Sequence, residues 1–322
     1  MNQTVDPPAQ AYVRPDVRRF LDHLSALPGP RSHEAGPVEA RRMAIAARHV
    51  ADAPVGELAV MRDLSMSGPA GELKLRLYDA RAERAAGPAM VFFHGGGFVI
   101  GDLETHDPIC AEVARVLDMP VVAVDYRLAP ENPWPAAPDD CIAAARWVAG
   151  SPDALGRAVT GLVLAGDSAG GNLAIVASLS LRDAPAAVPV IAQWPIYPAA
   201  DPTTHHPSFA DFSSGYFLTL EGMIWFDQCY APDKTDPLYA PLVVDQAGMP
   251  PTLVVTSSLD PIRDQGRAYA AACVKAGVPT LFHEARGQIH GFVNFRKAIP
   301  SSNDDVARSL ALLKVLIGQG EW

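Results

Sequence analysis

The sequence predicts an α/β fold, a mostly parallel sheet with helices on its faces, and three observations carry that expectation. Five short apolar runs recur from residue 88 onward, namely Met90-Val91-Phe92-Phe93, Val121-Val122-Ala123-Val124, Leu162-Val163-Leu164-Ala165, Val190-Ile191-Ala192 and Leu253-Val254-Val255, each followed by a loop and a helix-like segment. Runs apolar at successive positions suit strands buried on both faces, the condition of a parallel sheet. Apolar residues make up 49% of the 322, enough for a large core. No fixed-period repeat is present, which excludes solenoids and propellers.

The other elements follow in order. Val17, Phe20, Leu21 and Leu24 stand at i, i+3, i+4 and i+7 before Pro28-Gly29-Pro30, an amphipathic helix with a stop signal. A second helix is expected over 38–49. Leu58 to Met66 and Glu72 to Tyr78 alternate apolar and polar side chains around Gly68-Pro69-Ala70-Gly71, as a hairpin does. A last strand over Thr280 to His283 precedes a closing helix near Val306 to Ile317. Between Pro198 and Pro241 aromatics and turn residues interrupt the strand–helix alternation, reading as an insertion that covers a pocket together with the N-terminal helices.

A formal net charge of −10 argues against nucleic acid and anionic lipid surfaces as partners. No apolar run reaches spanning length. Met1 to Pro8 show neither the basic nor the apolar region of a secretory leader, so the cytoplasm is the expected location. Cys110, Cys141, Cys229 and Cys273 are scattered without metal-ligand or redox spacing; buried free thiols are expected, and no metal or cofactor.

The chemistry is concentrated at loops that follow strands. Gly166-Asp167-Ser168-Ala169-Gly170-Gly171 lies between an apolar strand and the helix-like run Asn172 to Leu181. A serine among small residues at that junction fits a nucleophile elbow, whose tight turn exposes the hydroxyl. A phosphate-binding glycine turn is the bland alternative, but the Lys-Ser/Thr pair of a P-loop is missing. A serine hydroxyl needs a base, and the base needs a carboxylate to orient it. Asp260, in Asp260-Pro261-Ile262-Arg263-Asp264, and His290, in His290-Gly291-Phe292, each follow a strand in the order Ser, Asp, His. Asp264 is the alternative acid, better suited to a cap or ion pair; His283 lies in a strand, His205 and His206 in the insertion, and His23, His33 and His49 near the start. His94-Gly95-Gly96-Gly97-Phe98 follows the strand Met90 to Phe93 and fits a loop whose amides receive a negative oxygen, completed by Ala169. His94 itself reads as structural.

Through these motifs and Tyr126-Arg127-Leu128-Ala129-Pro130-Glu131, the chain from about residue 60 onward resembles the hormone-sensitive-lipase family, the bacterial type IV esterases of the α/β-hydrolase superfamily. The resemblance implies an α/β-hydrolase fold with an eight-stranded, mostly parallel sheet and a helical cap. The division it implies is 1–50 for N-terminal cap helices, 51–197 for the first part of the core, 198–241 for the cap insertion and 242–322 for the second part of the core. It maps the triad onto Ser168, Asp260 and His290 and the oxyanion donors onto Gly96, Gly97 and Ala169, with Glu131 and Asp167 as supports for the loops. Gln288 departs from the apolar residue usual in the family two before the histidine, and is expected to alter the pocket wall. Phe212, Tyr216 and Phe217 are expected to line an apolar pocket.

The implied activity is a serine carboxylesterase acting on small-molecule esters of short to medium acyl chain, without cofactor. An aryl-amide amidase or deacetylase with the same triad is the rival within the same chemistry. A non-catalytic small-molecule receptor is the rival from another class, disfavoured because the base is present. A homodimer through an edge strand or the final helix is a further expectation from similar enzymes.

Overall fold

The computed structural model describes residues 11–318; Met1 to Pro8, read above for a leader, lie outside the described residues. In chain order the elements are α1 (Pro15–Ala26), α2 (Ser32–Ala35), α3 (Pro37–Ala51), β1 (Val60–Gly68), β2 (Gly71–Asp79), β3 (Gly87–Phe93), α4 (Leu103–Leu117), β4 (Val121–Val124), α5 (Ala136–Ala149), β5 (Val159–Asp167), α6 (Ala169–Asp183), β6 (Val190–Ile196), α7 (Pro207–Asp211), α8 (Leu220–Tyr230), β7 (Thr252–Leu259), α9 (Arg263–Lys275), β8 (Thr280–Ile289) and α10 (Ser302–Gly318). The eight strands form one sheet in the order β1-β2-β4-β3-β5-β6-β7-β8. Its β1–β2 and β2–β4 pairings are antiparallel and the rest parallel, the expected α/β arrangement.

The continuous apolar runs are explained by burial on two sides. Along β3, Val91 and Phe93 enter one core cluster with Val122, Leu164 and Leu173, while Met90 and Phe92 enter another with Val121, Val163 and Leu310. Successive side chains point to opposite faces of a strand, so both faces must be covered, and helices cover both. No helix of the described residues is long and apolar enough to cross a membrane.

β8 differs from expectation. It continues six residues past His283 to Ile289, where Glu284, Arg286 and Gln288 interrupt the apolar run. As an edge strand pairing with β7 alone, it tolerates polar side chains: Glu284 pairs with Arg267 at 2.7 Å, and Gln288 turns to α10. The extension matters because it delivers His290 directly from the end of a strand.

The N-terminal helices are tied to the core. α1 buries Val17, Phe20 and Leu21 against Phe212, Leu259, Ile289 and Ile299. From α3, Arg41 donates to the carbonyls of Val99 and Ala129 at 2.8 Å each and pairs with Glu131 at 2.6 Å, so Glu131 holds the α3 guanidinium against the loops after β3 and β4. Just past α3, Asp52 makes a buried ion pair with Arg296 at 2.8 Å.

Candidate active site

Sheet order brings the chemistry-bearing loops to one edge. β3 and β5 are neighbours with Phe93 opposite Gly166, so the glycine loop after β3 and the serine turn after β5 leave the sheet side by side. β7 and β8 are neighbours with Leu259 opposite Ile289, so Asp260 and His290, each the next residue, also emerge together. In parallel strands all carboxyl ends lie at one edge, which is why residues distant in sequence can meet there.

Ser168 has φ 59° and ψ −117°, a left-handed turn between β5 and α6. Its neighbours must be small: a Cβ on Gly170 would run into the carbonyl of Phe93. The turn presents Oγ to His290, whose Nε2 is 2.8 Å away. His290 Nδ1 lies 2.7 Å from Oδ2 of the fully buried Asp260, whose Oδ1 accepts the Ile262 amide at 2.9 Å. The Tyr197 ring, its centroid 4.6 Å from that of the imidazole, packs beside it. A carboxylate accepting from Nδ1–H leaves Nε2 free to take the hydroxyl proton.

In the glycine loop, Gly96 and Gly97 both have positive φ, 116° and 61°. The Gly95 amide donates to Asp167 Oδ1 at 2.8 Å and is therefore occupied. Among the described residues the amides of Gly96, Gly97 and Ala169 have no protein acceptor, so they remain free to donate to a substrate oxygen. The loop is braced from below by Tyr126, whose hydroxyl donates to the carbonyl of His94 at 2.7 Å and whose ring stacks on the His94 imidazole. His94 is structural as read: its Nδ1 meets its neighbour's carbonyl, Gly95 O, at 2.8 Å, and burial first, then the nearby His106, push its pKa down to about 4.

The alternatives weighed from sequence are placed elsewhere. Asp264 accepts the Ser208 amide at 3.0 Å and pairs with Arg263 and Arg267. His283 lies 3.7 Å from Asp305 and His206 3.3 Å from Asp201. Of the three aromatics expected at the pocket, Phe217 lies beside Gly291, next to His290. Phe212 is instead buried in the cluster under α1, with Arg263 over its ring, and Tyr216 meets its edge; these two bolster the packing behind Leu259 and Ile289. Gln288 is also a correction. Its amide reaches Ser302 Oγ at 3.1 Å and Asp305 Oδ2 at 3.2 Å, so the side chain ties β8 to α10; the positive φ of Gly287, 77°, falls within the register shift of β8 against β7 just before it.

Sequence reasoning counted Phe226 only among the aromatics of the insertion, and missed His106. Phe226 on α8 packs against Gly97 so closely that a Cβ there would enter its ring, and Tyr230, one turn on, stacks on Phe98 with centroids 3.9 Å apart. Spacing of four along a helix put both on one face, a signal that was legible, but not the loop it would meet. His106, within Thr105-His106-Asp107, carried no spacing signal; it lies 3.0 Å from Asp167.

Comparison with known proteins gives consistent findings. A family profile described as the alpha/beta hydrolase fold matches residues 90–294. Esterase LipI of Mycobacterium tuberculosis is 35% identical over 305 residues, 92% of this chain and 94% of that one. The ethyl acetate hydrolase of Pseudomonas putida is 34% identical, covering 94% of this chain and 98% of its own. Among solved structures, an ester hydrolase from the metagenome of Lake Arreo, complexed with a bipyridine phosphonate derivative, superposes with a TM-score of 0.88 at 35% identity, over 95% of this chain and 100% of that one.

Proposed function

This chain belongs to the α/β-hydrolase family, and from that premise we propose that it is a serine carboxylesterase, hydrolysing small esters through an acyl-enzyme on Ser168. The observation that carries the proposal is the unbroken relay from Ser168 Oγ to His290 at 2.8 Å and on to Asp260 at 2.7 Å, beside three unengaged amides. Ser168 attacks the ester carbonyl while His290 Nε2 takes its proton; the carbonyl oxygen, now negative, is received by Gly96, Gly97 and Ala169. The alcohol leaves with the proton returned by His290, and water then repeats the sequence to release the acid.

We place the 1–50 segment, whose last helix α3 runs one residue further to Ala51, and the 198–241 insertion together as a cap over this edge, in support of which Phe226 and Phe217 reach Gly97 and Gly291. Aromatic rings so near the reacting centre favour short to medium acyl chains, in line with the substrate named for the P. putida relative. All four cysteines are free thiols, which suits a reducing cytoplasm. The edge strand β8, which pairs with β7 alone and exposes Phe282, favours a homodimer across that edge, which light scattering at graded concentration tests.

The test of the activity is a p-nitrophenyl ester series of rising acyl length, run with the wild type and Ser168→Ala, together with labelling by an organophosphate. Hydrolysis that peaks at short to medium chains, with loss of both turnover and label in Ser168→Ala, is expected. Turnover that survives in the variant overturns the mechanism, and an optimum on long-chain emulsions overturns the acyl preference.

A further inference from the structure

We propose that His106 is a positioning residue for this hydrolysis, a buried imidazolium that fixes Asp167 and, through it, the oxyanion loop at Gly95. The proposal deepens the esterase reading above and rests on it. His106 stands in the first turn of α4, 5% exposed, with no part in the proton relay. Its contacts fit a charged ring. Thr105 Oγ1 lies 2.9 Å from the carbonyl of Asp102 and 3.0 Å from His106 Nδ1, so with its hydrogen on the carbonyl it accepts from a protonated Nδ1. At the other side of the ring Nε2 is 3.0 Å from Asp167 Oδ1, which can only accept, with the Gly95 amide at 3.3 Å and Asn294 Nδ2 at 3.2 Å from the same nitrogen. Of these contacts the carboxylate is the nearest and the only charged one, and it favours a proton on Nε2 as well as on Nδ1.

The consequence falls on the loop. Asp167 Oδ1 receives both the His106 ring and the Gly95 amide, at 2.8 Å, while Oδ2 receives Tyr197 and Asn294 at 3.3 Å each. A carboxylate held from four directions cannot swing, so the Gly95 peptide plane is fixed and the next two amides are left for the reacting oxygen. The groups facing the ring favour its charge in sum: Asp167, Asp102 and Asp52, the last already paired with Arg296, outweigh the neutral His94, whose ring centroid is 5.5 Å away. Burial opposes both members of the pair, yet Asp167 is held below its ordinary carboxyl value by His106 and the Gly95 amide, and His106 above its ordinary value by Asp167.

The experiment has two arms. Nitrogen-15 NMR of the wild type, with the His106 signals identified by their loss in His106→Gln or His106→Asn, should show both ring nitrogens protonated at neutral pH, and the same in Ser168→Ala, which turns nothing over. A ring with one unprotonated nitrogen overturns the proposal whether or not the esterase reading stands; absence of any ester hydrolysis by the wild type would strike that reading separately. In the kinetic arm, His106→Gln should lower kcat about 10²-fold with KM nearly unchanged, the scale of a misaligned oxyanion donor. Because a raised imidazole pKa keeps its support at low pH and loses it as pH rises through the folded value, the wild type should also show an alkaline fall in kcat that the variant lacks. A folded His106→Gln with wild-type kcat and the wild-type alkaline limb refutes the role.

Discussion

Gly97→Ala isolates the part of the site built by the cap helix α8. At φ 61° an alanine is strained by roughly 1–2 kcal/mol, since the left-handed region crowds Cβ against the backbone. The new methyl would also occupy the position of the Phe226 ring, so the loop or the ring must move; overpacking of this kind costs typically about 1–3 kcal/mol. Phe226 is anchored by its helix, whose Tyr230 stacks on Phe98 and lies against Trp134, whereas the glycine loop carries two amides with no protein acceptor. The strain therefore falls on the Gly96 and Gly97 peptides, beyond the fixed Gly95 plane, and turning either misaims a donor, a loss of about 10²–10³ in turnover. The donor acts on charge that develops in the transition state, so kcat should carry the loss and KM should stay within about threefold. Initial rates on p-nitrophenyl acetate, with thermal denaturation as the check on folding, measure this. The double variant Gly97→Ala/Phe226→Ala removes the obstruction and should recover about tenfold over Gly97→Ala, a coupling between residues in contact. Wild-type kcat in Gly97→Ala, or a double variant no faster than the product of the single effects, would show that Phe226 does not set the loop.

Three further outcomes are expected. Asp260→Asn should keep its fold and lose about 10⁴ in kcat, because an amide in place of the carboxylate at 2.7 Å from Nδ1 favours the wrong imidazole tautomer; pre- and post-substitution rates on one ester decide it. Gln288→Leu should cost about 1–3 kcal/mol of stability by leaving Ser302 Oγ without the amide and taking one donor from Asp305, which keeps Arg14, while the acyl-length profile stays that of the wild type; denaturant melts and the ester series separate the two. For Asp305, burial opposes the charge, but hydrogen bonds from Arg14 and Gln288, with the His283 imidazole 3.7 Å away, overcome it and hold the carboxyl below its ordinary 3.8. A depressed carboxyl contributes its stability above the unfolded value and loses it as pH falls through the folded one, so Asp305→Asn should be less stable at neutral pH and show a shallower loss of stability below pH 3.8. Equal acid slopes in the two proteins would remove Asp305 from that account.

What could be read in the residues alone was whatever one segment settles by itself. The sheet class followed from runs such as Val121 to Val124, because a strand apolar at every position has no face left for water. The serine turn and the glycine loop were legible because each is a local backbone requirement: a Cβ at Gly170 or Gly97 has nowhere to go. The order of Ser168, Asp260 and His290 placed each after a strand, but their meeting depended on β8 continuing to Ile289 as a polar-tolerant edge, which its interrupted pattern hid.

The tertiary structure decided everything that depends on which surfaces face each other. Gln288 and His290 are two apart in sequence, yet one turns to α10 and the other to Ser168. Phe212 and Tyr216 join the core under α1, whereas Phe217, at the margin of the same cluster against Phe20 and Phe295, reaches the turn at Gly291. The partners of Phe226 and His106 could not be read, because a ring against Gly97 and an imidazole between Thr105 and Asp167 are relations across the fold. Periodicity records whether a side chain is buried; only packing determines what it is buried against.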